Sequence, residues 1–201
     1  MTTGAEARFE FRVWADRLDE LSDRIRSMSE PLEVRESTDT YFVSTATVDA
    51  NPKARAELLD IKTLVGVQEG FEQWGVHLKA ELPVDAALLS AELFPLLGLA
   101  PPEFERADYT LAQLVDEVVS PNPDLAAVEV SKRRQMHTVN GCIAEITDVT
   151  IADHKIQTVA VESANLGALV ETRRDLGLDD HTNVSYPRAI RGVIGGPFAL
   201  A

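Results

Sequence analysis

The stretch Arg8-Phe9-Glu10-Phe11-Arg12-Val13-Trp14 decides how the fold of this 201-residue chain begins. Its side chains alternate, apolar at the odd positions and mostly charged at the even ones. Successive side chains of a β-strand point to opposite faces, so the pattern predicts a strand with one apolar and one charged face. The charged face carries Glu10 and Arg12 two residues apart, on the same side of the sheet.

Seven further segments have the composition of strands. They are rich in β-branched and aromatic residues, and turn residues separate them. They cover residues 33–44, 47–55, 58–67, 76–82, 128–139, 142–151 and 155–163. Asn140-Gly141, between two alternating runs, is a strong signal for a tight hairpin turn. The sequence therefore predicts eight strands in all.

Helical periodicity occupies the remaining segments. It covers residues 15–29, 85–120 in pieces that prolines interrupt, and 165–176, which Gly177 closes. Thr110-Leu-Ala-Gln113 has the pattern of a capping box. We expect one domain over residues 1–201, with a strand core at about 6–165, a helical insertion at about 85–127 and C-terminal helices at about 165–195.

The composition excludes several classes of protein and of site. Hydrophobic residues make up 45% of the chain and charged residues 26%, which is typical of a globular protein outside the membrane. Cys142 is the only cysteine, so an intrachain disulfide and a multi-cysteine metal site are excluded, and the four histidines lack zinc spacing. Met1–Glu6 shows no secretory signal, and the apolar residues 86–100 are too few to cross a bilayer. We therefore expect a cytoplasmic protein without a membrane partner.

The formal net charge of −14 is unevenly distributed. It disfavours nucleic-acid partners, whose binding requires many basic residues. Most of the excess lies in residues 85–129, with nine acids and one base. The predicted strands instead carry basic residues spaced so that they share a face, namely Lys53 with Arg55, Lys132 with Arg134, and Lys62.

The charged strand faces allow two interpretations. They are either the ordinary water-facing sides of antiparallel sheets or faces that converge inside a barrel. Buried like charges are too costly to remain unpaired, so a converging interior would suit a highly charged anion together with a hard cation. Arginine and lysine bind phosphoryl oxygens by charge-assisted hydrogen bonds. The second interpretation therefore predicts a ligand that contains a triphosphate.

The order of the motifs resembles the CYTH family. These triphosphate tunnel metalloenzymes include thiamine triphosphatases, inorganic triphosphatases and class IV adenylate cyclases. The matching segments are Arg8-Phe-Glu-Phe-Arg12, the helix at 15–29, Asp39-Thr-Tyr-Phe42, Asn51-Pro-Lys-Ala-Arg55, Leu59-Asp-Ile-Lys62, Ser131-Lys-Arg-Arg134, Glu145-Ile-Thr-Asp148 and Ala160-Val-Glu162. The resemblance implies an α+β fold, an antiparallel eight-stranded tunnel-like β-barrel with helices packed outside.

The resemblance also implies roles for individual residues. Glu10, Glu145 and Glu162 are the expected ligands of Mg²⁺ or Mn²⁺, with Glu10 and Glu162 catalytic and Asp148 as a helper. The expected phosphate contacts are Arg12, Lys53, Arg55, Lys62, Lys132 and Arg134, and Arg188 is expected to close one mouth of the tunnel. The implied activity is divalent-metal-dependent hydrolysis of an inorganic or organic triphosphate, or adenylate cyclisation.

Three positions depart from the family pattern. Arg8 and Ala160 stand where the family has glutamates, and Arg12 stands where it has lysine. The departures leave open a noncatalytic polyphosphate- or nucleotide-binding domain of the same fold. A partner-binding domain that uses its acidic helices is a third alternative. The sequence does not fix the oligomeric state.

Overall fold

A computed structural model of the chain describes residues 7–199. Within them, eight antiparallel strands form a closed barrel in the order β1-β10-β9-β8-β2-β3-β4-β5, and β6 and β7 form a separate two-stranded sheet. The strands are β1 Arg8–Ala15, β2 Glu33–Ser44, β3 Ala50–Arg55, β4 Leu58–Gln68, β5 Phe71–Glu81, β6 Val84–Asp85, β7 Asp108–Tyr109, β8 Leu125–Val139, β9 Cys142–Ile151 and β10 His154–Ser163.

Five helical segments accompany the strands in residues 7–199. They are α1 (Asp19–Met28), α2 (Ala86–Leu88, a π-helical turn at Leu89–Leu93, and Phe94–Leu96), α3 (Leu111–Gln113, continuing as a π-helical turn at Leu114–Val119), α4 (Leu166–Leu176) and α5 (Tyr186–Ile194), followed by a 3-10 turn at Gly196–Phe198. No helix in this part of the chain is long and apolar enough to span a membrane.

The chain divides into two compact units, each with its own apolar core. Unit 1 comprises the residues up to Ser37, Leu64–Gly75 and Ser131–Ser185. Unit 2 comprises Thr38–Thr63, Val76–Val130 and the residues from Tyr186 onward.

The core of unit 1 covers the apolar face of β1. Phe9 and Phe11 pack with Ile25 of α1 and Leu169 of α4, and the Phe11 ring meets the Phe71 ring edge to face at 5.6 Å. The helices therefore cover the odd-numbered face of β1. The even-numbered side chains point to the opposite face, the inner face of the barrel.

The core of unit 2 explains where the acidic block lies. Leu59 of β4 packs with Phe94 of α2 and Leu114 of α3, all fully buried. On α3, Asp116 and Glu117 are exposed. The apolar stripe of this block therefore faces the strands and its acidic stripe faces water, as an amphipathic helix requires.

Most local expectations are confirmed. The α+β class and the closed eight-stranded barrel are observed, and Thr110 forms the expected capping box with Gln113. Asn140 and Gly141 both have positive φ, 50° and 76°, as a two-residue hairpin turn requires. Gly177 ends α4 in the left-handed conformation.

Two local features differ from the expectation. β5 begins at Phe71 rather than at residue 76. Glu72 and Gly75 weaken the strand signal in the sequence, but pairing with β1 stabilises this part of the chain as a strand. The short β6–β7 pair lies in a block read as helical. Met1–Glu6, on which the expectation about a secretory signal rests, lies outside the described residues.

Candidate functional site

Three carboxylates lie in one row across adjacent strands of unit 1. Glu10 of β1 is directly opposite Glu162 of β10 on one side and Glu72 of β5 on the other. Opposed side chains in antiparallel strands have Cβ atoms about 5 Å apart, and like charges there destabilise the sheet. The row therefore requires cations or hydrogen-bond donors close by.

Arg12 neutralises the centre of this row. Its side chain is buried, and its Nε and Nη2 donate to Oε1 and Oε2 of Glu10, both at 3.0 Å. Nη2 also lies 3.4 Å from Oε2 of Glu145, and Nη1 donates to Thr158 Oγ1 at 3.4 Å. Bidentate pairing of this kind is among the stronger ionic hydrogen bonds in proteins.

The reach of Arg12 to Glu145 depends on the residue between them. Arg12 is opposite Ala160, and Ala160 is opposite Glu145, so the row crosses three strands. Neighbouring strands are about 4.8 Å apart, so a long side chain can span the intervening strand. The small side chain of Ala160 leaves the guanidinium room to pass over it.

Side-chain hydrogen-bond donors also contact the carboxylates at the two ends of the row. Arg8 Nη1 lies 3.4 Å from Glu162 Oε1, with the Arg8 side chain half exposed. Trp74 Nε1 donates to Glu72 Oε2 at 3.2 Å. Glu10, Glu72 and Glu162 thus each have a donor from a nearby side chain.

Further cations of unit 1 lie on β8. Lys132 is buried, and Arg134 shares its strand face. Arg134 Nε lies 3.4 Å from Glu145 Oε2 but has no hydrogen-bond partner among the described residues. We call this group the arginine–carboxylate cluster, which consists of Arg8, Glu10, Arg12, Glu72, Lys132, Arg134, Glu145 and Glu162.

The segment that precedes α5 holds the backbone of β1 in place. Asn183 Oδ1 accepts from the Arg12 backbone N–H at 2.8 Å, and Asn183 Nδ2 donates to the carbonyl oxygens of Glu10 at 3.1 Å and Gly70 at 2.9 Å. The Val184 N–H donates to the Arg12 carbonyl at 2.8 Å. Asn183 therefore fixes the strand positions from which Glu10 and Arg12 project.

A second charged cluster lies in unit 2. Lys53 of β3 is opposite Asp60 of β4, with Nζ 3.9 Å from Oδ2. Burial lowers the pKa of Lys53 to about 8; Asp60 opposes this effect, while Arg55 and Lys62 add to it. Lys53 is therefore a cation whose charge changes near neutral pH.

Arg55 is bound to a buried carboxylate. Its Nε and Nη2 donate to Asp39 Oδ1 and Oδ2 at 2.5 and 2.7 Å, which raises the pKa of Arg55. Lys62 is half buried and lies opposite Asn51, whose Oδ1 is buried without a hydrogen-bond partner in residues 7–199. The residues Asp39, Lys53, Arg55, Asp60 and Lys62 form what we call the lysine–aspartate cluster.

Arg188 and Asp148 lie elsewhere. Arg188 is half buried near the start of α5, where Tyr186 stacks on Tyr41 of β2 at 5.5 Å. Asp148 is exposed and on the opposite face of β9 from Glu145, where it accepts from Gln157. The alternation of β9 thus directs Asp148 away from the carboxylates it was expected to assist.

The structure groups the expected site residues by unit. Unit 1 holds Glu10, Arg12, Lys132, Arg134, Glu145 and Glu162, and unit 2 holds Lys53, Arg55, Lys62 and Arg188. Sequence reasoning missed Glu72, because the start of β5 was not recognised, and Asn183, because an irregular segment has no periodicity. Asp39 and Asp60 belong to motifs that match the family, but the sequence predicted no role for them. Each pairs with an expected phosphate contact, Asp39 with Arg55 and Asp60 with Lys53.

The expected divalent-metal site does not fit this arrangement. No group of three or more His, Cys, Asp or Glu side chains in residues 7–199 is placed to hold a metal ion. Arginines contact each of the expected ligands, Glu10, Glu145 and Glu162. A metal would have to displace these guanidinium groups from the carboxylates.

Comparisons with known proteins identify the fold. No protein-family model and no curated protein matches the chain. Among solved structures, a putative adenylyl cyclase from Hippeastrum, described as having a dominant triphosphatase activity, is 15% identical with a TM-score of 0.50, over 95% of this chain and 98% of that one. A putative adenylate cyclase from Bacillus halodurans is 9% identical with a TM-score of 0.48, over 90% and 97%. A conserved hypothetical protein from Pyrococcus furiosus is 15% identical with a TM-score of 0.49, over 91% and 98%. The fold that the CYTH resemblance implied, a closed eight-stranded antiparallel barrel, is thus confirmed, and the Hippeastrum protein is similar to this chain over nearly the full length of both.

Proposed function

We propose that this protein binds a small polyphosphate anion through the cations of the arginine–carboxylate cluster. The observation that carries the proposal is Arg134 of β8, whose buried Nε lies 3.4 Å from Glu145 Oε2 and has no hydrogen-bond partner in residues 7–199. Buried donors of this kind gain free energy when an acceptor arrives. Phosphoryl oxygens are acceptors that suit guanidinium and ammonium groups.

The number of cations favours a polyphosphate over a single phosphate. Each charge-assisted hydrogen bond contributes about 1.5–3 kcal/mol net, so several of them reach the roughly 8 kcal/mol of micromolar binding. One phosphate group cannot contact many cations at once. The acidic stripe of α3 disfavours nucleic-acid polymers.

Cysteine chemistry supports a cytoplasmic location. Cys142 is buried and forms no disulfide. A lone unpaired thiol is typical of a reducing environment, so the proposal assigns the protein to the cytoplasm. Small polyphosphates and nucleoside triphosphates are soluble ligands that such a site can take from solution.

Titration calorimetry with sodium tripolyphosphate tests the proposal, with orthophosphate as the comparison ligand. We expect micromolar binding of tripolyphosphate, and a loss of about tenfold in Arg134→Gln, equivalent to one charged hydrogen bond. Arg133→Gln is the matched control, because Arg133 is half exposed and pairs with Glu36 and Asp148 on the other face of β8. Undetectable binding of tripolyphosphate at low salt would refute the function.

Hydrolysis of the bound triphosphate is a second candidate function. It is favoured by the direct opposition of Glu10 and Glu162, two carboxylates beside buried cations. An anion that took over Arg12 would leave Glu10 able to accept a proton from water. The Hippeastrum protein of similar fold is described as having a dominant triphosphatase activity, which supports this candidate.

Phosphate release from tripolyphosphate, thiamine triphosphate and ATP tests this candidate. Each assay is run with EDTA, Mg²⁺ or Mn²⁺, and wild type is compared with Glu162→Gln. Turnover that is lost in Glu162→Gln supports hydrolysis. Binding without turnover of any of the three substrates removes hydrolysis and leaves the noncatalytic domain.

A further inference from the structure

We infer that the arginine–carboxylate cluster binds its polyphosphate without a divalent cation, because Arg8 and Arg12 already supply the positive charge that its carboxylates require. The inference rests on the proposed function and specifies the form of its ligand. It concerns the free anion, as opposed to an anion complexed with a metal.

The first step is the charge balance of the carboxylate row. Glu72, Glu10 and Glu162 lie opposite one another across three strands. Such a row attracts cations, and in this chain Arg12 chelates Glu10 while Arg8 contacts Glu162. The row therefore carries permanent counter-charges, which do not depend on the metal concentration.

The second step is the cost of replacing those arginines. Mg²⁺ requires oxygen ligands at about 2.0–2.1 Å in near-octahedral geometry and loses its waters reluctantly. To bind Glu10 it would have to displace Arg12, whose side chain is 4% exposed. A buried guanidinium without its carboxylates is strongly unfavourable, so the exchange favours the arginine.

The third step is that the chain leaves room for this arrangement. Ala160 lies between Arg12 and Glu145 in the cross-strand row. A longer side chain at Ala160 would stand in the path of the guanidinium, since both project from the same face. Arg12 can thus hold Glu10 and Glu145 together, which removes two carboxylates from any metal.

The consequence is a preference for the uncomplexed anion. A divalent cation carried on the ligand would meet Arg8, Arg12 and Arg134 at close range. The carboxylates near it already have arginine partners, so the cation would gain no ligand from them, whereas free phosphoryl oxygens gain hydrogen bonds. Mg²⁺ should therefore leave binding unchanged or weaken it.

Calorimetry of tripolyphosphate in EDTA and in excess Mg²⁺ tests the inference. We expect a similar Kd in both, within about threefold, or weaker binding in Mg²⁺. Tightening by Mg²⁺ of about tenfold or more would overturn the inference and leave the proposed function intact. Absence of binding in both buffers would overturn the proposed function and the inference with it.

A gain-of-binding variant tests the role of Arg8 directly. Arg8→Glu removes one cationic partner of Glu162 and adds a carboxylate, while Arg8→Gln removes the charge only. We expect Mn²⁺ alone, followed by electron paramagnetic resonance, to bind Arg8→Glu and to bind neither wild type nor Arg8→Gln. Arg8 is half exposed, so both variants should fold, and circular dichroism checks this. Mn²⁺ binding to wild type would overturn the inference, and no binding to Arg8→Glu would mean that Arg8 is not the residue that keeps a metal out.

Discussion

The two charged clusters differ in how their buried charges are compensated. In the arginine–carboxylate cluster, Arg12 holds Glu10 bidentately and also contacts Glu145. In the lysine–aspartate cluster, Lys53 lies 3.9 Å from Asp60 and its pKa falls to about 8. Guanidinium remains charged at every physiological pH, whereas a buried ammonium gives up its proton readily. The first cluster therefore has a fixed charge and the second a charge that varies with pH.

The largest expected difference between the clusters is in folding stability. Arg12→Met removes the shared partner of Glu10 and Glu145, so we expect a loss of about 3–5 kcal/mol in the free energy of unfolding. Lys53→Met should cost clearly less, because burial already disfavours the charged lysine. Urea denaturation at pH 7 measures both values. An equal loss in the two variants would contradict the distinction between the clusters.

A smaller effect is expected from the residue that supports β1. Asn183→Ala leaves the Arg12 N–H and the Glu10 carbonyl without their side-chain partner, at about 1–3 kcal/mol. Because Arg12 then loses its position, tripolyphosphate binding should also weaken several-fold. The matched control is Asn165→Ala, which removes the N-cap of α4 in the same unit at a cost of about 1 kcal/mol.

The binding measurement separates positioning from general stability. If Asn183→Ala and Asn165→Ala lose similar stability and only Asn183→Ala loses affinity, Asn183 positions the cluster. Equal affinities in the two variants would show that Asn183 has a purely structural role.

The sequence predicted the fold better than the chemistry of the site. Alternation in β1 and the Asn140-Gly141 turn are local signals, and both the strand and the hairpin formed where they indicated. Register is not local: the opposition of Glu10 to Glu72 depends on pairing between strands about 60 residues apart. The sequence could thus place carboxylates and arginines on one face of a strand, but it could not predict which residues of different strands lie opposite one another.

Ion-pair partners could not be predicted from those faces. Arg8 and Ala160 appeared as departures that left the carboxylates incomplete as metal ligands. In the structure Arg8 contacts Glu162, and Ala160 gives Arg12 room to reach Glu145. Side-chain reach across an intervening strand depends on three residues from three strands, which no single motif contains.

The smallest expected effect concerns pH and the lysine–aspartate cluster. Burial lowers the pKa of Lys53 to about 8, so between pH 8 and 10.5 Lys53 is mostly neutral in the folded protein and charged in the unfolded chain. The free energy of unfolding should therefore differ between wild type and Lys53→Gln by an amount that changes with pH in this range. Urea denaturation of both proteins at pH 7 and 9 measures this difference.

The direction of this change follows from the same pKa. Because the folded pKa of about 8 lies below the ordinary lysine value of 10.5, the unfolded state binds more protons between these values. The contribution of Lys53 to stability therefore rises with pH, by about 1 kcal/mol between pH 7 and 9. A difference between wild type and Lys53→Gln that stays constant from pH 7 to 9 would mean that Lys53 keeps its ordinary pKa, and both clusters would then have a fixed charge in this range.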